Sequence, residues 1–211
     1  MLTLYYAPGS SSMASHIALE EAGARYDTRF VNEDAGEHRT EAYLRVNPRG
    51  KVPALRLPDG SVLVENVAIQ TYVARTRPEA GLLPDDPEGE ARALSLMAFF
   101  ATAVHPAFSH FWAPRRFTDE PSGEDGIRAK GLATFHGHCR EIDAMLAGRE
   151  WFLGRFSTVD CYGFVFHGWG LRAGLPMRGL PNYTAHKDRM LARPAVRRVL
   201  DREGVRGVSK T

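Results

Sequence analysis

Two hydrophobic periodicities alternate over the first eighty residues. Leu2-Thr-Leu-Tyr-Tyr-Ala7 and Tyr26-Asp-Thr-Arg-Phe-Val31 have strand character, the second alternating as a half-buried strand does, and Ser11 to Gly23 between them predicts a helix. Glu41 to Val46 predicts a short helix. Pro53-Ala-Leu-Arg-Leu57 and Ser61-Val-Leu-Val64 flank Pro58-Asp59-Gly60, whose residues favour a tight turn, so a β-hairpin is expected there. Asn66, a good N-cap type, introduces Val67 to Arg75, with Val67, Ile69 or Gln70, and Val73 on one helical face. The order is βαβ followed by ββα, the grammar of an α/β unit.

Pro78 to Gly89 is rich in proline, glycine and acidic residues, through which no helix runs, so it marks a boundary. The chain divides into residues 1–78, a linker at 79–89, and residues 90–211. Beyond the linker the strand signals fade. Glu90 to Val104, Gly126 to Leu146, Thr158 to Ala173 and Ala195 to Glu203 predict a helical bundle. Leu94, Met97, Ala98, Ala101 and Val104 form a stripe expected to be core. Ser157-Thr-Val-Asp160 has the form of a capping box ahead of an apolar segment, so that helix is expected to be central and buried. His167-Gly-Trp-Gly170 within it is expected to let neighbouring backbones pack closely.

Composition narrows the function. The 211 residues are 44% hydrophobic and 25% charged with a formal charge of +2, which suits a compact soluble protein and excludes a disordered tail, a coiled coil or a collagen. Basic and acidic residues are interspersed, leaving no concentrated field for nucleic acid. No apolar run approaches the ~20 residues of a membrane span, and Met1 to Ala7 lacks the basic start of a secretory signal, so a cytoplasmic protein without membrane contact is expected. The two cysteines, Cys139 and Cys161, fit neither a disulfide scaffold nor a metal site and are expected in the core.

Three places carry chemistry. At Pro8-Gly-Ser-Ser-Ser-Met-Ala-Ser-His16 a strand ends and a helix begins on a row of hydroxyls. A helix N-terminus offers unpaired N–H groups and a positive dipole end, which stabilise an anion such as a thiolate, while one serine serves equally well as a plain cap. Val52-Pro53 precedes a strand, and a cis bond there would turn the Val52 backbone outward to pair with an extended ligand, although X-Pro bonds are mostly trans. Glu65-Asn66 opens another helix, where a carboxylate could meet the dipole and an ammonium could meet Glu65; a plain N-cap is the alternative. Phe108, Phe111, Trp112 and Phe117 suit an apolar pocket or a bundle core equally. Together the three places suit a peptide that carries a thiol and carboxylates.

The strings PGSSSMASHIALEEAG, YLRVNPRGKVPAL, LVENVAIQTYVA and STVDCY resemble the cytosolic glutathione transferase superfamily, nearest to its bacterial beta class, over nearly the whole chain. The resemblance implies a thioredoxin-like N-terminal domain (βαβαββα with a mixed four-stranded sheet), an all-α C-terminal domain that forms the electrophile pocket, a cis-proline at Pro53 and a homodimer. It implies glutathione as co-substrate, with no tightly bound cofactor and no metal. Val52 and Pro53 would hold its cysteinyl part, and Glu65 and Asn66 its γ-glutamyl end. Beta-class members carry cysteine where Ser11 stands, so a mixed disulfide at that position is unavailable. A serine instead donates its hydroxyl to the sulfur and lowers the thiol pKa. Ser11 is the expected donor and Ser10 the reserve.

His105 matches a beta-class histidine that faces the sulfur, and Pro106 after it disfavours αR backbone at His105 and predicts a kink. The expected activity is conjugation of the glutathione thiolate to small apolar electrophiles. The alternatives are a glutathione-dependent isomerase or ether-cleaving enzyme, and a non-catalytic glutathione-binding protein in which Ser11 is only a cap.

Overall fold

The computed structural model describes residues 1–205, so residues 206–211 of the expected helical region lie outside the described residues. Its four strands are β1 (Leu2–Tyr6), β2 (Tyr26–Phe30), β3 (Ala54–Arg56) and β4 (Val62–Val64), in the spatial order β2-β1-β3-β4. β1 and β2 run parallel, with Leu4 opposite Thr28, and β1–β3 and β3–β4 are antiparallel, so the sheet is mixed. The parallel pair needs a crossover, which α1 (Ser12–Glu21) supplies. α2 (Glu41–Leu44) and α3 (Asn66–Thr76) complete the thioredoxin-like unit.

Alternation along β1 puts Leu2, Leu4 and Tyr6 on the face covered by α1 and α3, and Tyr5 on the other face with Val31, Tyr43 and Ala54. β2 departs from its expected half-buried pattern. It is an edge strand, and Asp27 to Phe30 are exposed.

The remainder is helical: α4 (Pro87–Phe99), α5 (His105–Trp112), α6 (Glu124–Met145), α7 (Thr158–Arg172), α8 (Pro181–Ala192) and α9 (Pro194–Glu203). α8 had no distinct sequence signal. α7 is the expected central helix, with twelve buried residues, and Asp160 Oδ2 accepts from the Ser157 N–H at 2.8 Å as a capping box requires. α1 packs directly on α7 and α9, joining the sheet unit to the bundle. Both cysteines are buried.

Three sequence expectations change. α4 buries Ala93 and Met97 and the turn after it buries Phe100 and Val104, whereas Leu94 and Ala101 are half-buried and Ala98 is exposed. His105 adopts αR backbone (φ −62°, ψ −47°) despite Pro106. A π-helical turn at Phe100–Val104, closed by the His105 N–H bond to the Phe100 carbonyl, widens the helix before the proline and leaves the run Pro87–Trp112 continuous. That run is 26 residues long, and an 18-residue window of it has a mean hydropathy of 1.2, a length and composition that the core helix of a bundle shares with a membrane span. It packs on α6 and α7 as a bundle helix does. At Gly170, finally, the close neighbour is the Met177 side chain, which occupies the space a Cβ would need, rather than a backbone.

Candidate functional site

The turn after β1 is held at both ends of one residue. Gly9 takes φ +65°, a conformation that favours glycine. Its N–H donates to Glu203 Oε2 at 2.9 Å, and its carbonyl accepts from Trp169 Nε1 at 2.9 Å. Glu203 ends α9 and also meets His16 Nδ1 at 2.8 Å, with both side chains fully buried. Two distant elements, α7 and α9, therefore fix the peptide that precedes the serines, and His16 of α1 holds Glu203 in place.

The three serines divide their duties. Ser12 Oγ donates to the Ala7 carbonyl and accepts the Ala7 N–H, both at 3.2 Å, and Ser10 Oγ lies 2.7 Å from it. Ser11 stands at the N-cap position of α1, yet its hydroxyl caps nothing. Among the described residues neither its hydroxyl nor its N–H has a hydrogen-bond partner. The plain-cap role thus falls away from Ser11, and an amide, a hydroxyl and a helix dipole are left together at one point.

The Val52-Pro53 bond is cis. Just before it the Lys51 carbonyl accepts from Asn47 Nδ2 and from the Tyr43 hydroxyl, each at 2.7 Å. Among the described residues the Val52 N–H and C=O are unpaired. Glu65 is the single non-glycine with positive φ (73°) among the described residues and occupies the N-cap position of α3 that sequence assigned to Asn66. Asn66 is the first helical residue, buried, and its Oδ1 accepts from the Ser15 hydroxyl at 2.7 Å. The exposed Glu65 carboxylate pairs with Arg49 Nη1 at 2.8 Å.

His105 sits edge-on to Trp169, with ring centroids 5.0 Å apart. Burial, and then the charges of Lys51 and Arg116, lower its pKa to about 4, so the ring is neutral at neutral pH. The four candidate aromatics split. Phe108 is core, stacked on Trp169 at 4.4 Å; Phe111 is half-buried; Trp112 and Phe117 are exposed. Sequence reasoning missed Trp169, His16 and Glu203. The capping box and the Trp169 neighbourhood were visible as a buried helix, but no local pattern links a residue of α9 to Gly9.

A family model described as "Glutathione S-transferase, N-terminal domain" matches residues 1–75. The chain is 33% identical to the glutathione S-transferase GstA of Escherichia coli O157:H7 over 97% of this chain and all of the relative. It is 39% identical to the maleylacetoacetate isomerase of Pseudomonas aeruginosa, over 48% of this chain and 49% of that one. A glutathione transferase homologue from Sulfitobacter, solved with bound glutathione, superposes with a TM-score of 0.92 at 35% identity, covering 96% of this chain and 98% of the other. A beta-class glutathione S-transferase of Sphingomonas chungbukensis gives 0.85 at 34% identity, covering 97% of this chain and all of the other.

Proposed function

The chain belongs to the glutathione S-transferase family, and from that premise we propose how its own residues carry the reaction. It is a glutathione S-transferase, with glutathione as co-substrate. The reading is that residues 1–78 hold the tripeptide, the expected linker 79–89 connects only as far as Asp86, which caps α4 from Pro87 onward, and the helical region beyond supplies the surface for a small apolar electrophile. Ser11 donates its hydroxyl to the sulfur, and its N–H and the α1 dipole stabilise the thiolate. The Val52 backbone, freed at the cis-Pro53 bond, pairs with the cysteinyl peptide as a strand edge does. The exposed Glu65 and the N-terminus of α3, which begins at the buried Asn66, take the zwitterionic γ-glutamyl end, and Ser10 flanks the sulfur.

The observation that carries this reading is the unpaired state of Ser11 between two hydroxyls that are already engaged. A neutral His105 cannot act as a cation toward the thiolate; its role is to exchange a hydrogen bond with the sulfur or the electrophile. The sulfur then attacks the electrophilic carbon, with proximity supplied by binding. Leu94, Ala98 and Ala101 form an apolar stripe that the chain leaves partly open, which supports a homodimer with a second copy covering it. The reading as a cytoplasmic enzyme goes with this one.

Purified protein saturated with glutathione should show thiolate absorbance at neutral pH, and Ser11→Ala should weaken it. An unchanged spectrum with an unchanged conjugation rate removes Ser11 from the chemistry. The partial match to an isomerase supports a second reading, which would show as product formed without consumption of glutathione.

A further inference from the structure

Arg172 ends α7, and its guanidinium comes down on the serine turn: a Cβ placed on Gly9 would lie 2.7 Å from Nη2. The same guanidinium stands 5.8 Å from the ring centroid of Trp112, which is exposed. A cation, an open aromatic surface and the Ser10–Ser12 turn therefore border one another. Although the arginine reaches solvent, packing around it lowers its pKa from the ordinary value by desolvation. Arg116, four residues beyond Trp112, and Lys51, next to Val52, both lie close enough to His105 to act on its charge. Among the described residues none of these three cations meets a carboxylate, whereas their neighbours Arg115 and Arg49 are paired with Glu124 and Glu65. Unpaired cations around the serine turn and His105 give this region a positive potential that favours an anionic ligand.

Resting on the transferase reading above, we propose that Arg172, assisted by Arg116, binds a carboxylate on the second substrate, so that the preferred electrophile is an apolar ring or chain bearing an anionic group. The planar guanidinium matches a carboxylate bidentately, and the Trp112 face beside it takes the apolar body. Lys51 adjoins the Val52 backbone and is the cation placed for the tripeptide's own carboxylates. Arg172 and Arg116 lie on the helical part of the chain, which leaves them for the other reactant.

A chloronitrobenzoate and its benzamide counterpart test this. In both, the sulfur attacks the carbon that bears chlorine, the C–S bond forms and chloride leaves, so only the charge differs. Each kcat/KM is divided by the uncatalysed rate with glutathione. Wild-type protein should prefer the benzoate, and Arg172→Met should lower the benzoate-to-benzamide ratio about tenfold, as loss of a charge-assisted hydrogen bond does. Arg172→Lys should restore part of the ratio. Arg116→Met should lower it in the same direction, which keeps the test valid if Arg172→Met does not fold. A ratio that stays constant in the variants overturns the proposal. So does a rise in the glutathione KM with the ratio preserved, which assigns the arginine to the tripeptide. Turnover of neither compound by wild-type protein overturns the transferase reading itself, and the proposal with it.

Discussion

Trp169 and Gly9 are joined by a 2.9 Å hydrogen bond across 160 residues of chain. The bond ties the buried helix α7 to the turn that presents the serines, and Glu203 of α9 grips the same residue from its N–H side. Trp169→Phe keeps the ring stacked on Phe108 but strands the Gly9 carbonyl. An unmade buried hydrogen bond costs about 1–3 kcal/mol, equivalent in a chain of this size to a lower Tm by roughly 2–4 °C per kcal/mol. The functional effect expected is a raised pKa for the bound glutathione thiol, read from its absorbance against pH. A lowered Tm with no shift of that titration would show that the clamp is structural only.

Glu203→Ala should be worse, because it strands two buried groups, the Gly9 N–H and the His16 ring. Two unsatisfied partners together cost roughly 2–6 kcal/mol. Glu203→Gln retains a carbonyl acceptor for the Gly9 N–H and should fall between the two. Urea unfolding followed by far-UV circular dichroism ranks the three proteins, and equal midpoints for the Ala and Gln variants would refute the clamp.

The serine row offers an internal control. Ser11 Oγ has no protein partner, so Ser11→Ala should leave the urea midpoint near that of the wild type while lowering kcat/KM by about 10- to 100-fold, the worth of a hydrogen bond to a charged group. Ser12 Oγ serves the Ala7 N–H and carbonyl at 0% exposure, so Ser12→Ala should lower the midpoint. Reversal of this pattern, with Ser11 structural and Ser12 kinetic, would move the sulfur donor away from Ser11.

Stability should depend on pH through two imidazoles, the half-buried His105 and the buried His167. Burial, then the charges around each ring, lowers the pKa of both His105 and His167 to about 4. In the unfolded chain a histidine titrates near 6.5. Between those values the unfolded state binds protons that the native state refuses, so the stabilising effect is complete above about pH 6.5 and is lost as pH falls toward 4. His167→Gln should flatten part of that slope in urea midpoints taken from pH 7.5 to 4.5. A slope identical to that of the wild type would show that His167 titrates normally.

The first eighty residues were legible because their signals are local: alternation in β1, the hairpin turn at Pro58-Asp59-Gly60, the hydroxyl row after Gly9. Where the sequence misled, a distant element decided. Asn66 has the composition of a cap, but Ser15 of α1 takes its side chain and moves the cap position to Glu65. Pro106 predicts a break, but a π turn five residues long absorbs it. Of the apolar stripe Leu94, Met97, Ala98, Ala101 and Val104, the bundle buries Met97 and Val104, and the covered face continues through Ala93 and Phe100 rather than through Ala98. Glu203 and Trp169 meet only at Gly9, and nothing within a window of either residue reports on that meeting.

The chain's thiol chemistry should be supplied wholly by glutathione. Its two cysteines lie in α6 and α7, both buried, and burial pushes the Cys139 thiol up to about 12 and the Cys161 thiol well above its ordinary value. Reactivity requires thiolate, and neither group forms it near neutral pH. Native protein should therefore titrate no thiol with an aromatic disulfide reagent, and both thiols should appear only on unfolding. Incubation with oxidised glutathione should leave the intact mass unchanged, because Ser11 cannot enter a mixed disulfide. A glutathionyl adduct on the native protein would mean that a buried cysteine reaches the surface, and would reopen a reductase function that the serine otherwise closes.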